Sequence, residues 1–373
     1  MSENVVIIDG NSLINRAFYA MQRPMITSEG IYTQGIYGFI NMLQKIENDY
    51  EPNYITVAFD LKAPTFRHLE YEQYKAGRKP MPPELVMQMP LLKDVLHAMN
   101  IHTLEMEGFE ADDIIGTVAR IAEEGGIKPL IITGDRDALQ LASKETQVLI
   151  TKKGISDFEL YDYDKMVERY GLTPTQFIDL KGLMGDSSDN IPGIPGIGEK
   201  TGIALLEQFG SIENMLEHTD EIAKAGLKKK VEENAQLAVM SKRLATINRF
   251  VPIEIDFENL KKEEPDYERL IELYTKLEFK SFLKRLKISP EAEVLTAEVP
   301  QIKRTNLKTQ EELASLEALR DSETVYLKVF GDGNHVQKPE ITGIFLMSQQ
   351  EAFYIDCLTT AAGDAVSALN KLA

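Results

Sequence analysis

An α/β fold built on a parallel sheet is predicted by three observations. The runs "NVVIID", "YITVAFD" and "PLIITGD" are short, β-rich and apolar throughout, as strands buried on both faces must be. Helical patterns lie between them, so strand–helix–strand connections are the economical reading. Each run also ends in an aspartate, Asp9, Asp60 and Asp135, and open α/β sheets bind ligands beyond the carboxyl ends of their strands.

Taken in order, the first run leads into a helical segment in which Arg16, one turn along, aims positive charge at that edge. After the second run comes "KAPTFRHLEYEQYKAGRKPMPPEL". Here Arg67, Lys75, Arg78 and Lys79 interleave with Phe66, Tyr71 and Tyr74, a mixture suited to backbone phosphates and stacked bases. A solvated helix face, with Glu70 and Glu72 pairing some of the cations, is the plainer alternative. "GFEADDIIG" then crowds Glu110, Asp112 and Asp113 ahead of Ile114, Ile115, Val118, Ile121 and Ala122 at helical spacing. Acids at a helix start complement its dipole and cap free N–H groups, so a capping role competes with a site. The third run brings Asp135 and, two residues on, Asp137.

From about Gly171 the pattern is mostly helical. "GLMGDSSDNIPG" places Asp186 and Asp189 at i and i+3, where they can face one way across a turn. "GIPGIGEKTGIALLEQFG" follows, with Gly193, Gly196 and Gly198 opening a helix that starts at Lys200 and Thr201. Small residues let the backbone approach a phosphate, and the helix start offers N–H groups and a positive dipole end. The expected organisation is a catalytic core over 1–170, a helical region over 171–287 and a polar linker over 288–312. An incomplete second α/β domain, carrying "TVYLKVFG", "EITGIFLMS" and "EAFYID", then occupies 313–373.

The chain has 373 residues, 43% hydrophobic and 27% charged, within the ordinary range for a globular protein. A single cysteine excludes an intrachain disulfide and fits a reducing compartment. No signal peptide opens the chain and no apolar stretch is long enough for a membrane span, so a cytoplasmic setting is expected. The net charge of −18 argues at first against a nucleic-acid partner, but it ignores placement: acids gathered at one metal site can coexist with basic strips elsewhere.

Asp9, Asp60, Glu110, Asp112, Asp113, Asp135, Asp137, Asp186 and Asp189 are the candidate ligands. Like charges in one site repel and raise one another's pKa unless cations join them. An all-oxygen donor set suits Mg²⁺ or Mn²⁺, and there is no Cys/His cluster for zinc. Two such ions could activate a water and steady the leaving oxygen of a phosphodiester.

The motifs "IIDGNSLINRAFYA", "FDLKAPTFRHLEYEQYKAGR", "EGFEADDIIGT", "ITGDRDALQL" and "GLMGDSSDNIPGIPGIGEKTG", in this order, resemble the 5′-nuclease (flap endonuclease) family. Residues 1–290 look like the 5′→3′ exonuclease domains of bacterial DNA polymerases I. The resemblance implies a PIN-like core, a helical arch over the site and a helix–three-turn–helix element that grips duplex DNA. It implies that the acids bind two or more metal ions, that Lys75 and Arg78 steer the scissile phosphate with help from Arg16 and Arg67, and that Tyr74 stacks on a base. Lys79 and the Gly193–Thr201 loop would contact DNA, with K⁺ a further expectation at the loop carbonyls. The implied activity is cleavage of 5′-flap, nicked or RNA-primed duplexes near the single-strand junction. A PIN-type ribonuclease, or a phosphatase built on the same acidic sheet edge, is one alternative, disfavoured by the helix–three-turn–helix loop. A non-catalytic DNA-structure binder would be expected to have lost some of the acids. From about residue 310 the chain resembles the start of a 3′→5′ exonuclease-like domain. Lys328 and Phe330 stand where that domain carries its metal-binding acids, with Asp332 as a turn residue, so no second metal site is expected.

Overall fold

The protein is described here by a computed structural model over residues 3–21, 23–152, 157–286, 303–309, 311–320, 324–331, 341–348, 351–359 and 362–370. It divides into two compact units, Met1–Leu286 and Lys287–Ala373. No helix among the described residues is long and apolar enough to cross a membrane.

The first unit holds six strands: β1 (Asn4–Asp9), β2 (Tyr54–Ala58), β3 (His102–Leu104), β4 (Lys128–Thr133), β5 (Gln147–Thr151) and β6 (Phe158–Tyr161). They lie in the order β3-β2-β1-β4-β5-β6, parallel except for β6, which runs antiparallel to β5. All three runs expected as strands form, and they are the three central ones. The additional strands carry weaker signals: β3 spans only three residues, too few for a period to show. Winding goes outward from β1 through β2 and β3 on one side and from β4 on the other. That reversal between β1 and β4 opens a crevice at the carboxyl ends of the strands.

Alternation along the strands feeds two apolar layers. Val5, Ile7, Ile131, Val148 and Ile150 pack on one face, under Ile114, Ile115, Val118 and Ala122 of the Ala111–Glu124 helix. Val6, Ile8, Val57, Ile132 and Leu149 pack on the other, under Leu13, Phe39, Leu92, Leu273 and Phe282. The helical region does not stand apart at residue 170. Leu180, Leu183, Leu206 and Phe209 join the first layer, while the Tyr267–Lys276 and Lys280–Leu286 helices reach the second. Core and helical region are one unit because each supplies the other's buried face.

The second unit is a four-stranded sheet of β7 (Lys303–Leu307), β8 (Tyr326–Gly331), β9 (Ile341–Met347) and β10 (Glu351–Asp356), ordered β7-β10-β9-β8. This corrects the linker boundary at 312. "KRTNL" is too polar to read as a strand, yet it pairs in parallel with β10, almost fifty residues later, and buries Leu307. The remainder of that linker, 288–302 and 310, and also Asp332, lie outside the described residues.

Among the described residues, the two apolar layers of the first unit are assembled from side chains of that unit itself. A chain ending at Leu286 should therefore keep the thermal midpoint of the first unit by circular dichroism. A drop beyond about 4 °C, roughly 1 kcal/mol for a unit of this size, would show that the first unit depends on the second.

Candidate active site

A cavity of about 390 Å³ lies at the carboxyl ends of β1, β2 and β4. Asp9, Asp60, Glu110, Asp112, Asp135, Asp137 and Asp189 line it, together with Lys75, Arg78 and Lys79 of a cover formed by the segment that follows the Phe66–Glu70 helix. Seven of the nine candidate acids are thus brought together; Asp113 and Asp186 are not on the wall.

Local chemistry holds the inner acids. Asp9 caps the Gly10–Ala20 helix, its Oδ1 accepting from the Ser12 N–H at 2.9 Å, while its Oδ2 accepts from the Thr133 hydroxyl at 2.7 Å. Thr133 also accepts from the Asp135 N–H at 3.0 Å, and so ties the ends of β1 and β4 together. Asp60 Oδ1 accepts from the Ala111 N–H at 2.8 Å, at the start of the Ala111–Glu124 helix. Asp112 differs from all of these, because its Oδ1 is buried without a hydrogen-bond partner among the described residues. Burial raises the Asp112 pKa well above the carboxylate range, and the charges of Asp9, Asp135, Asp60 and Glu110 add to the rise. Burial likewise pushes Asp9 up to about 7 against its bonds to Ser12 and Thr133, with Asp60 and Asp135 contributing.

Asp113 is a correction. It is 0% exposed and spends its Oδ1 and Oδ2 on Arg67 Nη2 and Nη1, both at 2.8 Å, and on the N–H groups of Asn248 (2.8 Å) and Glu110 (3.1 Å). No oxygen remains for an ion. Arg67 is corrected with it. All five of its N–H donors are used, on Asp113 twice, on Glu110 at 3.4 Å and on the carbonyls of Leu244 and Thr246. It is a buried tie with nothing left for a phosphate. Tyr74, expected as a stacking platform, is 3% exposed. Its hydroxyl donates toward Glu110 and Asp189 at 3.1 Å and its ring packs beside Ile191 and Leu244, so it is wall. Arg16 turns away to the Thr151 carbonyl at 2.7 Å and does not line the cavity.

Cations hold the outer acids. Lys75 Nζ lies 2.7 Å from Glu110 Oε1 and 3.7 Å from Asp189 Oδ2, and Arg78 Nη2 lies 2.6 Å from Asp189 Oδ1. Lys181, which the sequence reading passed over, bridges Asp137 (2.6 Å) and Asp186 (2.5 Å). Its signal is faint, a lysine five residues ahead of Asp186 in a helix that also carries Asp179. Among the described residues no three acids already stand close enough together to form a metal cage.

Asp189 stands on a tight loop closed by the bonds Asp186 N–H to Ile191 O and Ile191 N–H to Asp186 O, both 2.8 Å. Two glycines make the closure possible. Gly185 and Gly193 both have positive φ, and a Cβ on Gly193 would lie 2.2 Å from the Gly185 nitrogen. Gly193 is therefore used internally, while Gly196, Gly198 and Lys200 are exposed on the far side of the turn and Thr201 is half-buried. Lys230, from the run at 228–230, comes up against Gly196, and neither Lys200 nor Lys230 has an ion pair among the described residues. The sequence reading missed Lys230.

This arrangement of acids, cover and glycine turn coincides with a known pair of domains. Residues 4–171 match the family described as 5′-3′ exonuclease, N-terminal resolvase-like domain, and residues 172–268 match 5′-3′ exonuclease, C-terminal SAM fold. The chain belongs to the 5′-3′ exonuclease family. It is 43% identical over 356 residues to DNA polymerase I of Bacillus caldotenax, and 43% identical over 355 residues to that of Bacillus subtilis (strain 168). These alignments cover 95% of this chain but 40% and 39% of the relatives, so the chain spans about two fifths of their length. Among solved structures, a T5 5′-exonuclease with bound zinc ions matches with a TM-score of 0.56 at 20% identity, over 76% of this chain and 99% of that one. The catalytic core of Rad2 in complex with DNA substrate matches at 0.52 and 17%, over 78% and 93%. At such identities the structural likeness fixes the fold alone.

The side chains gathered in this cavity fit a hard divalent cation. The donors are carboxylate oxygens, one of them buried and unpartnered, and burying so many charges together is costly unless cations join them.

Two outcomes follow from this geometry. Arg67→Met leaves Asp113 buried and unpaired, and should lower stability by about 3–5 kcal/mol in urea unfolding; a loss under about 1 kcal/mol would mean the pair is dispensable. In EDTA, the Asp9–Asp112 group binds protons more tightly folded than unfolded. Its stabilising effect is complete below about pH 4 and is lost as pH rises to about 7. The urea midpoint should fall over that window, less steeply in Asp9→Asn; equal slopes in the two proteins would contradict the raised carboxyls.

Proposed function

We propose that this chain is a structure-specific 5′→3′ nuclease that hydrolyses DNA phosphodiesters where a single strand meets duplex. The observation that carries the reading is Asp112 Oδ1, buried without a partner beside Asp9, Asp60 and Asp135 at the sheet's crevice. Support comes from the names of the relatives: DNA polymerases I by sequence, and by fold a 5′-exonuclease with bound divalent ions and a nuclease core bound to DNA.

Asp9, Asp60, Glu110, Asp112 and Asp135 would hold Mg²⁺ or Mn²⁺, with Asp137 and Asp189 at the rim. Divalent ions bound there would supply an ionised water and charge neutralisation at the phosphorus. Lys75 and Arg78 sit on the cover against Glu110 and Asp189, where their charge would meet the phosphate as negative charge builds on it. Water adds to phosphorus and the bond to the 3′-oxygen breaks, leaving a 5′-phosphate and a 3′-hydroxyl. Lys79, which lines the same cavity, would take an adjoining phosphate. Gly196, Gly198, Lys200 and Thr201, with Lys230, would bind the duplex backbone, and K⁺ at the turn's carbonyls belongs to the same reading. Within a longer polymerase, the activity would serve primer removal and excision repair. The second unit would be a spacer: Lys328 and Phe330 lie on β8 with the ammonium 5.6 Å from the ring, and neither is a donor for Mg²⁺.

Asp112→Asn should abolish most cleavage of a 5′-flap substrate in Mg²⁺ while sparing DNA binding measured in Ca²⁺, and EDTA should silence the wild type. Full activity in Asp112→Asn would refute the reading. Lys75→Ala and Arg78→Ala should each lower the cleavage rate about 10²–10³-fold with little change in affinity. Lys200→Ala should instead weaken duplex binding and reduce its salt slope by about 1. If all three changed affinity alone, this division of labour would be wrong.

A further inference from the structure

The acids divide into two groups that the structure treats differently. Around Asp112 the carboxylates face one another with an oxygen left unpartnered. At the other end, Asp137 and Asp186 come from different elements, and Lys181 stands between them with its Nζ at 2.6 and 2.5 Å. All three side chains are largely buried, at 16, 18 and 12% exposed for Lys181, Asp137 and Asp186. Asp186 is fully engaged, because its Oδ1 also accepts from the Ser188 N–H (2.7 Å) and hydroxyl (2.6 Å).

Lys181 cannot easily leave. It sits in the last turn of the Pro174–Met184 helix, whose Leu180 and Leu183 lie in the core. Thr173 and Gln176 cap the start of that helix, and Asp179 fixes it through the Ile212 N–H and Lys242. An ammonium carried on so firm a base is a ready counter-charge for two carboxylates that would otherwise repel.

We propose that Lys181 is a built-in cation for the Asp137–Asp186 pair, so that the Asp112 group forms the open divalent-ion site and a second ion reaches the Asp137–Asp186 end only by displacing the ammonium. This rests on the nuclease reading and adds to it an order of occupancy: the first ion binds the free protein tightly, and the second binds weakly until Lys181 is moved. Lys181 is thus a positioning residue, acting through the acids it holds.

Ion counting on the whole 373-residue chain without DNA tests this. Mn²⁺ titrations followed by the electron paramagnetic resonance of the free ion should give one tight ion in the wild type and in Lys181→Arg. Lys181→Met should gain a second site whose affinity is about 10–100-fold above that of the wild type's weak site, the range by which groups around a metal commonly tune it. Two equally tight ions in the wild type, or no gain in a folded Lys181→Met, would overturn the proposal. Should Lys181→Met fail to fold, Asp186→Asn decides: the tight ion should remain, and its loss would overturn the proposal. Failure of the parent reading looks different, because Asp112→Asn would then keep the tight ion or the wild type would bind none.

Discussion

The Arg67–Asp113 ion pair ties together the three pieces of chain that enclose the cavity. Arg67 belongs to the short Phe66–Glu70 helix at the root of the cover, Asp113 to the first turn of the Ala111–Glu124 helix, and the carbonyls of Leu244 and Thr246 to the wall behind. Buried ion pairs are costly to form, and they hold only where every donor and acceptor is matched, as here. The pair also decides what the neighbouring acid does. Successive residues on a helix point about 100° apart, so drawing Asp113 inward turns Asp112 toward the strand ends. One acid is consumed as structure and the next is left with a bare oxygen.

That bare oxygen sits in a cavity whose charge is balanced from outside inward. Lys75, Arg78 and Lys181 pair with the peripheral acids, whereas Asp9 and Asp112 have no ion-pair partner among the described residues and pay for burial with raised pKa values. A chain of net charge −18 can therefore serve a polyanion, on the reading proposed here. Much of its excess acid is turned toward one enclosed cavity, while Lys200 and Lys230, without an ion pair among the described residues, stand exposed on helices beside the glycine turn. Placement matters more than the total.

The sheet was legible because its central strands are buried on both faces and read as unbroken apolar runs, each ending in an aspartate. β7 was hidden, since "KRTNL" becomes a strand only through a partner far along the chain. In the site, residue type could be read but side-chain direction could not. "EADD" announces three acids, yet whether each is cap, ion pair or open ligand depends on Arg67 and Asn248, residues 46 and 135 positions away from Asp113. Tyr74 is a similar case: tyrosine among lysines suggests a stacking platform, and only the fold reveals two carboxylates capturing its hydroxyl. Lys181 escaped notice because nothing local separates a bridging lysine from a solvated one.

The cover is fastened in a way that matters for the cations it carries. Lys75 adopts a left-handed conformation at φ 57°, as does Asn190 on the facing loop. Both are locked by neutral bonds, the Lys75 N–H to the Asp189 carbonyl at 2.9 Å and the Asn190 amide to the Gln73 carbonyl at 2.7 Å. A backbone conformation this uncommon persists only where its surroundings over-determine it. The ion pairs of Lys75 and Arg78 are therefore not what keeps the cover in place. If divalent ions take over Glu110 and Asp189, the neutral bonds still hold the backbone, and the ammonium and guanidinium are released within reach of whatever anion enters. The same two cations can pair with the acids and, on the reading proposed here, also meet a phosphate, with side chains rather than the chain itself doing the moving.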